Sequence, residues 1–113
     1  MPKRFQIILT EEAEQNIEEA YHWIEQSDPI AASRWYDGLM DALQSLSIMP
    51  VRCSLSPESR LGFVSYEVRQ LLYGKGFWKY RILFMVESHR VVIVHIRHGA
   101  RLYLGEESQE EEE

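Results

Sequence analysis

Two runs of helical periodicity, separated by only three residues, constrain this chain more than any other feature. Ala13, Ile17, Ala20, Tyr21 and Ile24 recur at i, i+4, i+7, i+8 and i+11. That spacing is one apolar face of an α-helix, and Glu11, Glu14, Glu18 and Glu25 fall mostly off it. Thr10 is placed to cap this helix, with Glu11 and Glu12 at the positive end of its dipole. After Ser27-Asp28-Pro29 the same period returns in Ala32, Trp35, Tyr36, Leu39, Leu43 and Leu46. Asp28 is a natural N-cap and Pro29 suits a first helical position. So short a link turns the second helix straight back along the first. Residues 11–48 are therefore expected to form an antiparallel helical hairpin, ended by Pro50.

The remaining sequence must supply the surface on which the hairpin packs. Phe5–Leu9 is a short apolar run that reads as a strand. Residues 51–63 have Ser, Pro and Gly without a period and read as a loop. Val64–Leu72 alternates as a half-buried strand does. Tyr73-Gly74-Lys75-Gly76-Phe77-Trp78 reads as a hairpin connection. Lys79–Val86 and Val91–His98 are two further strands around a turn at residues 87–90. The stretch Val91-Val92-Ile93-Val94 is apolar on both faces, which places the last strand centrally in the sheet, and Gly99 ends it. The order β-α-α-β-β-β predicts an α+β domain. Its helical hairpin covers one face of a small, mainly antiparallel sheet and leaves the other face open.

Composition narrows the class. A chain of 113 residues, 45% hydrophobic, can bury about two-thirds of its unfolded surface without staples. Residues 1–105 read as one domain and EESQEEEE (106–113) as a self-repelling tail, expected to be disordered. The single cysteine, Cys53, excludes an internal disulfide and a four-thiolate zinc site. No HxxxH or HExxH pattern occurs, and Gly74-Lys75-Gly76 lacks the context of a phosphate loop, so neither metal nor cofactor is expected. No apolar run approaches the length of a membrane span, and the N-terminus lacks a signal-peptide core. The expected location is the cytoplasm.

Charge is unevenly distributed. Residues 1–50 carry three basic and nine acidic groups, whereas residues 51–105 carry nine basic and three acidic. Parity along the strands assigns faces. Tyr80, Ile82, Phe84 and Val86 form one set, and Lys79, Arg81, Leu83 and Met85 the other. In the preceding strand the sets are Val64, Tyr66, Val68, Gln70, Leu72 and Ser65, Glu67, Arg69, Leu71. The simplest assembly turns Val64–Leu72 and Tyr80–Val86, the more apolar sets, to the helices. Arg69, Lys79 and Arg81 then stand on the open face. Lys75, Arg97, His98 and Arg101 extend a basic end. Two readings fit these cations: solubilising charges, partly paired with Glu67, or a site for phosphate or carboxylate, which the planar arginine fork binds bidentately. His98 is either a proton shuttle or merely polar. Parity places His95 with Val91 and Ile93, as a structural residue.

Val68-Arg69-Gln70-Leu71, Tyr80-Arg81-Ile82-Leu83-Phe84 and the ending Arg97-His98-Gly99-Ala100-Arg101, together with the two-helix region, resemble the RelE/ParE toxin superfamily of type II toxin–antitoxin (plasmid stabilisation) modules. The resemblance covers about residues 5–104. It implies the same fold and a cognate antitoxin whose C-terminal segment wraps the toxin, in a homodimer or a toxin–antitoxin heterotetramer. Two activities come with it. RelE-like members cleave mRNA in the ribosome without a metal. ParE-like members bind and poison DNA gyrase. If the chain is a nuclease, the resemblance assigns Arg81 and Arg101 to stabilise the phosphorane and His98 to acid–base chemistry. Arg69, Lys75, Lys79, Arg97 and Tyr103 become target- or antitoxin-binding residues. The antitoxin is expected to pair carboxylates with Arg69, Arg81 and Arg101. The hairpin aromatics Trp23, Trp35 and Tyr36 are either a second contact surface or core. The lack of a lysine excess and the His98-Gly99-Ala100-Arg101 ending tip the expectation toward the ParE-like branch. A non-toxic, partner-binding relative is the third reading.

Overall fold

A computed structural model describes residues 4–74 and 79–99. The elements are β1 (Gln6–Leu9), α1 (Glu11–Ser27), α2 (Pro29–Ser45), a short 3-10 turn (Pro50–Arg52), α3 (Pro57–Arg60), β2 (Arg69–Tyr73), β3 (Tyr80–Glu87) and β4 (Arg90–His98). The architecture is the expected α+β one. Four strands lie in the order β1-β4-β3-β2, with β4 interior. β1 runs parallel to β4 and the other pairs are antiparallel.

Local chemistry sets the helix ends. The Asp28 carboxylate accepts from the backbone N–H groups of Ile30 and Ala31 at 3.0 and 3.1 Å, with Pro29 at the first position of α2. That leaves a single residue between the helices. Thr10 Oγ1 accepts from Ala13 N at 3.1 Å and lies 3.0 and 3.2 Å from the carbonyl oxygens of Ile93 and Val94. The cap of α1 is thus also a tie to β4.

The main core lies between hairpin and sheet. Ala13, Ile17, Leu39, Leu43 and Leu46 meet Tyr80, Ile82, Phe84, Val91, Ile93 and Ile96. Phe84, Leu39, Ile82 and Ile93 are among the largest fully buried side chains. Truncating an aromatic such as Phe84 to alanine in a core of this kind costs about 3–5 kcal/mol.

Two face assignments made from parity are corrected. In β2, Leu71 and Tyr73 pack on the helix-side core opposite Ile82 and Tyr80, while Leu72 is 49% exposed. The strand begins at Arg69, five residues later than expected, and its apolar set is the odd-numbered one. Gln70 therefore faces away from the helices and Arg69 stands on the helix side. In β4, Leu83 pairs with His95 but Phe84 pairs with Ile93, so Val94 is an extra residue. This β-bulge switches parity within the strand. Ile93 and Ile96 both reach the core, and His95 faces away from it instead of sharing a face with Val91 and Ile93.

The second sheet face is not open, contrary to expectation. Leu83, Val68, Ser56 and Glu58 are all fully buried outside the helix-side core. The segment around Leu55 pairs along the outer edge of β2, with Ser56 N donating to Val68 O at 2.7 Å and Gln70 N to Ser54 O at 3.1 Å. The chain from α3 to Val68 then closes on itself. Ser59 Oγ donates to Tyr66 O at 2.8 Å and accepts from Val68 N at 2.7 Å. Phe63 N donates to Glu58 O at 2.9 Å. The region read as loop plus strand start is an ordered cap over one face.

Candidate partner-binding site

Arg81 was expected as a solvent-facing cation, and that placement is corrected. It points to the second face, where the cap covers it to 4% exposure. Its Nη2 donates to Glu58 Oε1 at 2.5 Å and its Nε to Gln70 Oε1 at 3.0 Å. Glu58 is itself 0% exposed and sits in the first turn of α3, where a carboxylate complements the backbone N–H groups. A charge this deep needs a partner and hydrogen bonds to offset the loss of water, and Glu58 and Gln70 supply them.

Around this pair the structure gathers some of the predicted residues and disperses others. Arg97 is the cross-strand partner of Arg81, so the two arginines are neighbours on one face of the sheet. His98 stands at the same sheet end but on the other, helix-side face, opposite Tyr80, with ring centroids 5.3 Å apart at 87°. Lys79 is exposed at the same sheet end, where its carbonyl accepts from Gly99 N at 2.7 Å. Arg69 leaves the group. It lies on the helix side, donates to Cys53 O at 2.7 Å and is 3.9 Å from Glu67. Lys75, Arg101 and Tyr103 lie outside the described residues. Of the hairpin aromatics, Trp35 packs against the core, with its ring centroid 5.2 Å from that of Tyr80, while Trp23 and Tyr36 are exposed.

The residue that sequence reasoning missed is Glu58. Its signal was present: Ser56-Pro57-Glu58 has an N-cap, a proline and an acid in helix-start order. Only the fold brings it to Arg81, 23 positions away. His95 gains a neighbour in the same way, with Nε2 3.4 Å from Glu12 Oε2. Among the described residues, no group of three or more His, Cys, Asp or Glu could hold a metal ion. No described helix is long and apolar enough to cross a membrane.

A helical hairpin on one face of a four-stranded sheet is the fold of a RelE/ParE-superfamily toxin. Residues 7–103 match the ParE toxins of type II toxin–antitoxin systems, parDE, and the chain belongs to that family. A solved chain from the chromosomal ParDE toxin–antitoxin system of P. aeruginosa superposes with a TM-score of 0.63 at 17% identity. The match covers 84% of this chain and 96% of that one, and at this identity it attests the fold. No curated protein matches the chain in sequence.

Proposed function

We propose that this chain is the toxin of a parDE-type module, that it arrests growth by binding DNA gyrase as a protein ligand in the cytoplasm, and that a cognate antitoxin neutralises it. Residues 1–105 are the toxin body and 106–113 an acidic appendage. The observation that carries the choice of target is the state of Arg81. A nuclease reading needs this guanidinium to meet charge developing on a phosphate. Here its charge is already met by a buried carboxylate at 2.5 Å, under a cap. Withdrawing one member of a buried pair from the other costs about 3–5 kcal/mol, a heavy penalty on a group meant to stabilise a transition state. The chain's net charge of −6 also opposes docking on ribosomal RNA.

The test is induction without antitoxin, comparing wild type with the charge-free pair Arg81→Met/Glu58→Leu. Growth arrest is expected from both, with cellular mRNA intact, induction of the DNA-damage response and loss of gyrase supercoiling in vitro. Message cut at the ribosome during arrest, abolished in the paired variant, would instead establish the RelE-like nuclease.

A further inference from the structure

A strained stretch of backbone lies where the helical hairpin hands the chain on toward β2. Met49 takes φ 49° and ψ 55°, the left-handed region that a residue with a Cβ adopts only at a cost. The loop is held from several sides. Arg52 Nη1 donates to the carbonyl oxygens of Ile48 and Met49 at 3.2 and 3.3 Å, and its Nη2 stands 3.5 Å from Ser45 Oγ. Arg52 N donates to Met49 O at 3.0 Å, and Phe5 N to Ser47 O at 2.8 Å. Arg4 and Ile48 form an antiparallel bridge, and Pro50 is fully buried. A loop so firmly fixed could be expected to bury its apolar side chains. Instead Ile48, Met49 and Val51 are 36%, 61% and 57% exposed. Strain that the surroundings enforce is a mark of functional sites. We propose that Ile48, Met49 and Val51 form a preset apolar knob that enters a pocket on the target protein, gyrase on the reading above, and the inference rests on that reading.

Shape, charge and position select the partner. The knob is convex, so what receives it is concave, and a cavity belongs to a folded protein. A linear segment wrapped along the toxin has none to offer. Residues 42–57 contain no carboxylate and one cation, Arg52, and Arg4 stands exposed beside Ile48. The pocket that complements them has an apolar floor and carboxylates on its rim. A phosphate backbone finds no open arginine fork here, because both terminal nitrogens of Arg52 already face loop oxygens. Nor do two cations make the cluster of roughly four to eight that holds a segment on an anionic membrane. Position separates the knob from the basic sheet end. Gln6 pairs with Arg90 at the start of β4, and the knob is bridged to Arg4 beside that start, whereas Arg97 and His98 lie at the far end of the same strand. Preset geometry also gives the strain a purpose. Side chains already held in the bound pose lose little freedom on docking, and a few apolar anchors seated in a dry pocket carry most of an interface's affinity.

The experiment uses the full chain and purified gyrase, read by supercoiling inhibition and by direct binding. The variants are Met49→Asn and Met49→Asn/Val51→Ser. Asparagine enters the left-handed region more readily than methionine, so Met49→Asn keeps the loop and removes its apolar tip. Its melting temperature is expected to equal or exceed that of wild type. Leu61→Ser, on the cap and as exposed as Met49, is the control. Met49→Asn is expected to weaken gyrase binding about tenfold or more, and the double variant further, with Leu61→Ser unchanged. Affinity for the product of the short reading frame adjacent to this one should be the same in every variant. Should Val51→Ser lower the melting temperature, Met49→Asn alone decides. Wild-type gyrase affinity in Met49→Asn overturns the proposal and leaves the gyrase reading standing. Loss of affinity for the adjacent product with gyrase inhibition intact gives the knob to the antitoxin and likewise overturns it. So does sedimentation of wild type, but not of Met49→Asn, with phosphatidylglycerol vesicles, which gives the knob to a membrane. Wild type that leaves gyrase unbound and uninhibited removes the gyrase reading, and the proposal with it.

Discussion

Arg81 and Glu58 form a pair that neither member keeps alone. Glu58→Ala strands a guanidinium at 4% exposure and is expected to destabilise the fold by about 3–5 kcal/mol, whereas Arg81→Met/Glu58→Leu is expected to lie near wild type or above it. Urea unfolding of the single and double variants measures both. The arginine was legible in the sequence as a strand cation. Its partner was not, because strand parity says which way a side chain points and nothing about what distant loop covers it. Tyr73 gives a second residue-scale test. Its hydroxyl donates to Trp35 O at 2.8 Å. Burial, then Asp41 and Asp37, raise its pKa above the ordinary phenol value. A raised folded pKa means that the stabilisation is complete below about pH 10, the unfolded value, and is lost as pH climbs through the folded value. Thermal melts from pH 8 to 11.5 should show a fall above pH 10 that Tyr73→Phe reduces.

At the scale of elements, the hairpin was the most legible part of the fold because its signals are contiguous: two apolar stripes and a capping Asp-Pro. The strands were less so. β2 starts late enough to reverse its apolar parity, and Val94 inserts a bulge that no local pattern announces. Thr10 joins both kinds of element, capping α1 while holding the carbonyls next to that bulge. Thr10→Ala should therefore cost about 1–2 kcal/mol, at the upper end for an N-cap, read from denaturant midpoints. Gly38 in α2 marks where helix meets sheet. A Cβ there would stand 2.2 Å from the Tyr73 hydroxyl oxygen and 3.2 Å from its ring. Gly38→Ala gains about 1 kcal/mol of helix propensity and loses more to overpacking, typically about 1–3 kcal/mol. In a Tyr73→Phe background the hydroxyl contact is gone, and the same substitution should become nearly neutral. Equal costs in the two backgrounds would disprove the clash.

For the whole molecule, the uneven charge now has a physical layout. The acidic hairpin covers one sheet face, and the arginines of β3 and β4 are partly enclosed by the cap. The terminal glutamates lie outside the described residues, yet their number matters. Deleting 106–113 removes six carboxylates from a chain of formal charge −6. Solubility near neutral pH should drop while the melting temperature holds, as precipitation and calorimetry can check. The parallel pairing of β1 with β4 has a different consequence, one of time. Among the described strands, β1 is synthesised first and its partner last. Thr10 and the buried face of α1 likewise wait for Ile93 and Ile96. Contacts of such long sequence separation form late and slowly. A nascent chain that stops short of β4 therefore has no completed sheet, and the helical hairpin emerges before the surface on which it packs.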